Sequence, residues 1–244
     1  MKRIFLLIGL MVFSLASSYA QSDDDFGFWT SVGVKKELVS NLDAEVEAEF
    51  RTRDGFGDVD RWTIGAGLDY KLFSFLKADA GYKYIRNHHD NETTKKGNYI
   101  PSYWQNKHRA YFSLTGKVKW DRLEFSLRER YQYTYRSALS VPKYDDEGDR
   151  KSDEEITGKG KSVLRSRFEV EWDIRKSSFT PYVSIEMYNS ISDSWDHEKM
   201  RYMVGSKYKI NKKNSLNIFY LYQDESDDDE ASGHAIGIGY TYKF

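Results

Sequence analysis

Acidic and apolar side chains alternate one by one in the stretch Asp43-Ala44-Glu45-Val46-Glu47-Ala48-Glu49-Phe50. A period of two places the glutamates on one face of a β-strand and the apolar residues on the other. Three carboxylates cannot face hydrocarbon together, because a midplane charge costs on the order of 2–4 kcal/mol for Lys or Arg and somewhat less for Glu. If this strand crosses a membrane, its glutamates therefore face the interior of a barrel.

The same alternation recurs along the chain, and no segment keeps a helical period of 3.6 residues. In the last twelve residues, for example, Ile236, Ile238 and Tyr240 alternate with glycine and threonine. Eleven segments follow this pattern: residues 26–36, 43–53, 61–72, 77–87, 107–119, 123–136, 163–175, 179–189, 199–210, 215–223 and 233–244. Each is long enough for a tilted membrane strand, which needs about 9–11 residues.

The connections between these segments alternate between short turns and longer charged loops. Short turns on one side and long loops on the other are typical of a transmembrane β-barrel. The sequence therefore predicts an all-β protein, a single antiparallel up-and-down transmembrane β-barrel of about 10–12 strands. We expect an even number of strands, since single-chain bacterial barrels have even counts. The alternatives are ten strands without 26–36, twelve with one strand missed, or a chain end threaded through the lumen.

Two sets of charged residues are predicted to face the lumen. One set is acidic and lies on the second segment; the other is basic and lies on the sixth and seventh: Glu45, Glu47, Glu49, Arg128, Arg130, Arg165, Arg167. Charges of both signs are compatible with a ladder of ion pairs across the lumen and with an open aqueous pore between charged walls. Glu129 breaks the alternation, because its position would face lipid. We expect a β-bulge there that returns Glu129 to the lumen, and the alternative is that Glu129 pairs with an oligomeric partner.

The first twenty residues have the pattern of a secretory signal peptide. A basic start, Lys2-Arg3, is followed by an apolar run over 4–15 and a small-residue cleavage site ending at Ala20. We expect cleavage after Ala20, which leaves residues 21–244 as one barrel domain. The remaining chain has 35 basic and 38 acidic residues, a net charge of −3, so a nucleic-acid partner is not expected. Cysteine is absent, which excludes a disulfide scaffold and a thiol nucleophile.

The end of the chain, Tyr240-Thr241-Tyr242-Lys243-Phe244, has aromatic residues at alternate positions and a terminal Phe. It resembles the assembly signal that the barrel-assembly machinery reads in bacterial outer-membrane proteins. More narrowly, the chain resembles a family of outer-membrane barrels catalogued as a domain of unknown function. That resemblance is carried by residues 28–32, by Phe50-Arg51 and by residues 80–84, and it covers most of 26–244.

The resemblance implies a fold and a place, the outer membrane of a Gram-negative bacterium, but no catalytic residues. The implied partners are outer-membrane lipid, lipopolysaccharide and the assembly machinery.

Enzymatic chemistry has little support in the sequence. Outer-membrane lipid hydrolases resemble one another in a His-x-Ser pair, and none of the five histidines has Ser two residues on. Asp58, Asp60, Asp196 and His197 could form an acidic protease site, although such residues are common in loops. His88, His89 and His108 suggest a metal site only weakly. We therefore expect no enzyme activity, no cofactor and no metal.

Three function classes remain. We expect first a structural or surface-binding barrel of unknown activity with a narrow charged lumen, and as the alternative a porin-like channel for small solutes. An outer-membrane hydrolase ranks third.

Overall fold

Eleven long strands close into a barrel in which most strands pair with their neighbours in sequence. The computed structural model describes residues 25–192, 194–225 and 232–244. The barrel strands are β1 (Asp25–Val39), β2 (Leu42–Arg53), β3 (Asp58–Phe73), β4 (Leu76–His89), β7 (Tyr103–Trp120), β8 (Leu123–Arg136), β11 (Lys159–Trp172), β12 (Phe179–Ser190), β13 (His197–Lys209), β14 (Asn214–Glu225) and β15 (Gly233–Lys243). The predicted signal peptide lies outside the described residues. The predicted fold class, an all-β barrel of about 10–12 strands, is confirmed.

The strand count is odd, so the expectation of an even number is wrong. In an up-and-down barrel, an odd count makes the first and last strands point the same way. β1 and β15 therefore pair in parallel, in continuous register from Asp25 opposite Gly233 to Lys35 opposite Lys243. Residues 26–36 thus form a full barrel strand, and the strand that would have made twelve is not present among the described residues. As a result Asp25 lies at the end of the barrel that carries the long loops.

The barrel has an apolar outside and a polar inside. Large apolar side chains stay exposed on the outer face, among them Val46, Ile64, Phe168 and Ile218. Most of the buried polar side chains point inward and include arginine, lysine and glutamate. This arrangement is the inverse of a water-soluble barrel and is what a lipid-facing barrel requires. No helix among the described residues is long and apolar enough to cross a bilayer.

Two of the long loops contain a small sheet that the alternation of the sequence did not predict. Its strands are β5 (Glu92–Thr93), β6 (Tyr99–Ile100), β9 (Leu139–Tyr144) and β10 (Arg150–Ile156), paired in the order β10-β9-β6-β5. Ile100 and Val141 are almost fully buried in it. The loops after β4 and β8 therefore pack on each other as one ordered structure.

Glu129 faces outward, so the predicted bulge is wrong. β8 pairs without a register shift, with Glu129 opposite Leu114 on β7 and opposite Ser166 on β11. The hydroxyl of Ser166 donates a hydrogen bond of 2.6 Å to the Glu129 carboxylate. The Ser166 hydroxyl thus satisfies the outward Glu129 carboxylate, and the β-bulge that the sequence pattern predicted is not needed.

An arginine placed at mid-height on the outer face will destabilise the barrel. Ile185 lies near the middle of β12 and is 38% exposed, and Phe179 lies on the same face at the turn end. We expect Ile185→Arg to cost about 2–4 kcal/mol of unfolding free energy and Phe179→Arg about 0–1 kcal/mol, since the cost depends on depth in the bilayer. Urea unfolding in lipid vesicles measures both. Equal costs for the two variants would contradict a lipid-facing outer surface.

Candidate functional site: a charged lumen

The barrel encloses one large elongated cavity of about 670 Å³. Every inward position of β11 lines it, from Lys159 at the loop end to Glu171 near the turn end. Twelve residues of strand correspond to ~40 Å along the chain, or roughly 28 Å of depth at a tilt near 45°. The cavity therefore extends through most of the thickness of a bilayer core.

Positive charge predominates on the cavity wall. Among the described residues that line it, seventeen are basic and nine are acidic, a difference of eight charges. The basic residues are Arg51, Arg61, Lys77, Lys83, Lys107, Arg109, Lys117, Arg128, Arg130, Arg136, Lys159, Lys161, Arg165, Arg167, Lys199, Arg201 and Lys207. The acidic residues are Glu45, Glu47, Glu49, Asp69, Asp79, Glu169, Glu171, Glu186 and Glu198. The lumen is thus strongly basic in a chain whose net charge is −1.

The basic excess is concentrated on three adjacent strands. β7, β8 and β11 contribute ten of the basic residues and only two of the acidic ones, Glu169 and Glu171. β2, β3 and β4 contribute four basic and five acidic residues, so that wall is nearly neutral. We call the surface formed by the inward residues of β7, β8 and β11 the basic wall. An anion in the lumen would be attracted towards this side.

The four predicted arginines form a square at the centre of the basic wall. Arg165 lies directly opposite Arg130, and Arg167 lies directly opposite Arg128, across the β8–β11 pair. Like charges opposite each other on one sheet face repel. Nearby carboxylates offset this repulsion, and the square therefore depends on residues from other strands.

One carboxylate, Glu186 on β12, serves two of the arginines. Its Oε1 is 2.5 Å from a terminal nitrogen of Arg128, and both its oxygens accept hydrogen bonds from Arg165 at 3.1 and 3.0 Å. Asp79 on β4 pairs with Arg130 at 2.9 Å. Glu169 pairs with Arg167 at 3.2 Å. The sequence reasoning did not single out any of these three acids.

The predicted glutamates Glu45, Glu47 and Glu49 line the same cavity along β2. Glu47 pairs with Lys83 at 3.0 Å, and Glu49 pairs with Arg51 at 2.9 Å. Their ion-pair partners therefore come from β2 and β4, and no ion pair between described residues joins this row to the arginine square. The two predicted charge sets line a common lumen without forming a ladder with each other.

Aromatic rings also point into the lumen, each next to a cation, and the sequence reasoning missed them. The Arg51 guanidinium carbon lies 3.7 Å from the ring centre of Trp29, and that of Arg130 lies 4.2 Å from Tyr111. Arg165 lies 4.5 Å from Tyr188. Trp29 and Tyr111 each stand opposite a glycine, Gly237 and Gly81 respectively. The signal available in the sequence was an aromatic residue at an inward position, whereas the glycine opposite each ring is set by strand register.

The other sequence candidates are not among the residues that line the cavity. His108 bonds Tyr82 at 2.5 Å, His89 stacks on Tyr103, and His88 lies 3.7 Å from Asp90. No group of three metal-binding side chains occurs in the described part of the chain. Asp60 pairs with Arg61 at 2.8 Å, while Asp58 begins β3, Asp196 precedes β13 and His197 begins it.

The predicted assembly residues Tyr240, Tyr242 and Phe244 end the chain on the turn side of the barrel. Tyr240 donates a hydrogen bond to Asn214, and the rings of Tyr242 and Phe244 meet edge to face at 4.9 Å. Phe244 is 62% exposed. These aromatic groups lie where the membrane boundary is expected.

An acidic run, Asp145-Asp146-Glu147-Gly148-Asp149, follows β9 and stabilises the turn to β10. The Asp145 carboxylate accepts hydrogen bonds from the backbone N–H groups of Asp149 at 2.8 Å and Glu147 at 3.2 Å. These bonds stabilise the charged form, chiefly the one from Asp149, and so lower the pKa of Asp145. These bonds hold the hairpin between β9 and β10 in one conformation at the loop end of the barrel.

Removing the shared carboxylate will destabilise the arginine square. The Glu186 side chain is 7% exposed, and Glu186→Gln leaves Arg128 and Arg165 close together without it. We expect a loss of about 3 kcal/mol, the effect of breaking a buried ion pair from one side. The control is Asp173→Asn, which breaks the exposed pair with Lys119 and should cost less than about 1 kcal/mol. Urea unfolding in vesicles compares the variants, and a loss for Glu186→Gln no larger than that of the control would contradict this account.

Solved structures resemble this fold at low sequence identity. The β-domain of the Bordetella autotransporter Brka matches with a TM-score of 0.61 and 13% identity, covering 85% of this chain and 86% of its own. The translocator domain of the autotransporter NalP from Neisseria meningitidis matches with a TM-score of 0.60 and 10% identity, covering 92% of each chain. Both likenesses show the fold, which is that of outer-membrane β-barrels. A search of curated proteins gives no significant match.

The sequence family gives a more direct relationship than these structures. A family model described as "Protein of unknown function (DUF2490)" matches residues 26–233, which is most of the chain. The match confirms the resemblance seen in the sequence, and the protein therefore belongs to this family of unknown function.

Proposed function

We propose that the protein is a narrow outer-membrane channel for small anions. The observation that carries this proposal is the cavity that follows β11 over its full length, with eight more basic than acidic side chains on its wall. A surface excess of one charge sign concentrates ions of the opposite sign in a confined aqueous space. Charged side chains lining a pore select ions in the same way.

The dimensions of the cavity support small solutes. Spread over a depth of roughly 28 Å, a volume of 670 Å³ for the centres of water-sized molecules gives a mean cross-section of about 25 Å², which admits small solutes only. A barrel of eleven strands is wider than the eight-stranded case, whose interior side chains fill, and far narrower than a porin of 16–18 strands. The bore favours inorganic ions and small organic acids over oligomeric solutes.

The basic wall supports selectivity as well as attraction. Guanidinium groups stay charged over the whole physiological pH range. Each arginine of the central square has a carboxylate partner, so the square stays ordered, while the wall as a whole keeps its excess of positive charge. A chloride or small carboxylate could therefore pass along the wall from one cation to the next.

Location and assembly belong to the same proposal. We infer an outer-membrane protein that is exported by the predicted signal peptide, residues 1–20, and inserted by machinery that reads Tyr240, Tyr242 and Phe244. The apolar outer face supports contact with membrane lipid. No enzymatic role is proposed, since the charged residues of the lumen are accounted for by ion pairs and by anion attraction.

A surface-binding barrel is the second candidate. The observation in its favour is the ordered four-stranded loop sheet, β10-β9-β6-β5, at the loop end. An ordered sheet presents a defined surface for binding, whereas long mobile loops do not. A barrel that binds through this surface needs no open lumen, and conductance therefore separates the two candidates.

Planar-bilayer recording will test the channel. We expect refolded wild-type protein to give steady conductance, with a reversal potential in a KCl gradient that shows preference for chloride. The variant Arg165→Ser, Arg167→Ser should shift the reversal potential towards potassium preference, because two cations leave the centre of the basic wall. Heat-modifiable migration in SDS gels verifies that each preparation is folded.

The matched control removes two cations from the loop sheet, Arg150→Ser and Lys151→Ser, and should keep the wild-type reversal potential. A silent membrane with folded wild-type protein would remove the channel and favour the surface-binding candidate. Conductance with equal shifts in both variants would show that the arginines do not act from the wall of the pore.

A further inference from the structure

Three cations stand in one row across the basic wall at its loop end. Lys107 on β7 and Lys159 on β11 each lie directly opposite Arg136, the last residue of β8. Paired residues on neighbouring strands have Cα atoms about 4.5–5.5 Å apart, so the three side chains originate within ~11 Å of each other. All three line the cavity. We call this row, at the loop end of the lumen, the mouth. Like charges in direct opposition are destabilising, and the mouth is therefore less stable without a bound anion than with one.

Arg136 differs from the arginines deeper in the lumen. Arg128, Arg130, Arg165 and Arg167 each contact a carboxylate. Within residues 25–192, 194–225 and 232–244, neither Arg136 nor Lys159 forms an ion pair. The Nε of Arg136 is buried there with no hydrogen-bond partner, as is that of Arg128 in the central square, so the distinction of Arg136 is the missing carboxylate. A buried N–H donor without an acceptor is destabilising, so an acceptor at this position would stabilise this end of the lumen.

The row below continues the same surface. Arg109 and Lys161 both stand opposite Thr134, one residue pair deeper than Arg136. Arg109 donates a hydrogen bond to the Thr134 hydroxyl at 2.9 Å, and Lys161 pairs with Glu198 at 3.0 Å. Two further cations therefore lie beneath Arg136, and Glu198 is the ion-pair partner of Lys161. Five cations of β7, β8 and β11 thus line the cavity in two successive rows at the loop end.

We propose that this mouth, formed by Lys107, Arg136 and Lys159, is a binding site for a tetrahedral oxyanion of the phosphate class. A guanidinium presents N–H groups in a fork that matches two oxygens of a phosphate, and lysine ammonium groups add point charges from either side. A chloride ion would use only the charge of the site, whereas a phosphate uses its geometry as well. The inference rests on the proposed function, because it names an anion class that the lumen would take up at its entrance.

Calorimetric titration of inorganic phosphate into folded protein in detergent, at constant ionic strength, tests the site directly. We expect saturable binding at millimolar phosphate or below. Arg136→Gln should weaken the affinity at least about tenfold, the effect of losing hydrogen bonds between charged partners. Arg136→Lys should fall between the wild type and Arg136→Gln, since it keeps the charge and loses the fork.

The control variant is Lys117→Gln, which removes one cation from the turn end of the same cavity, where Lys117 pairs with Glu124 at 2.5 Å. We expect less than a twofold change in phosphate affinity. An equal loss in Lys117→Gln and Arg136→Gln would overturn the site, because the whole lumen would then attract phosphate diffusely. Absence of saturable binding to folded wild-type protein would overturn it as well.

Two further comparisons identify which idea has failed. Anion-selective conductance without saturable phosphate binding would overturn the mouth site but support the channel. Phosphate binding that depends on Arg136, in a protein that does not conduct, would overturn the channel but support the site. Phosphate-bearing lipid A added to the micelles should leave the titration unchanged. Competition by lipid A would show that the phosphate-binding groups lie on the outer surface rather than in the lumen, and this result would contradict the proposal.

Discussion

The parallel hydrogen bonding between β1 and β15 is the interaction on which the rest of the structure depends. It closes the sheet over eleven residue pairs, from Asp25 with Gly233 to Lys35 with Lys243. Without it, both strands would present unpaired N–H and C=O groups to hydrocarbon, and each unsatisfied group there costs several kcal/mol. Closure also creates an interior. Only in a closed sheet can the charged side chains at every second position lie on a surface that does not contact lipid.

Closure of the barrel brings the charged faces of all strands together around a narrow lumen. Like charges then repel each other, most directly between the paired arginines of β8 and β11. Carboxylates from β4, β11 and β12 partly offset this repulsion: Asp79, Glu169 and Glu186 each contact at least one arginine of the central square. Towards the loop end, Arg136 and Lys159 form no ion pair with any described residue. The interior is therefore tightly paired at the centre and basic at its mouth.

The sequence alone was enough for the fold class and for which residues share a face of each strand. A period of two in eleven segments gave strands at almost the same places as in the structure, because side chains on a strand alternate between its two faces. Glu45 and Arg165 could be assigned to the lumen by the cost of charge in lipid. The same rule gave a wrong prediction at Glu129. The alternation within one strand does not show which residue of the neighbouring strand lies beside it, and Ser166 satisfies the Glu129 carboxylate without any bulge.

What the sequence by itself determined is the alternation: which residues share a face, and that one face suits lipid while the other suits water and charge. Only the tertiary structure decided the parallel closure, the loop sheet and the choice of partners. Register between distant strands sets these features, and a local pattern contains no information about which strand end lies opposite which. Arg136 and Lys159 are 23 positions apart in the sequence, yet pairing of β8 with β11 places them side by side. That charged residues of both signs face the lumen could be predicted from the chain, whereas the basic excess and its distribution are properties of the closed barrel.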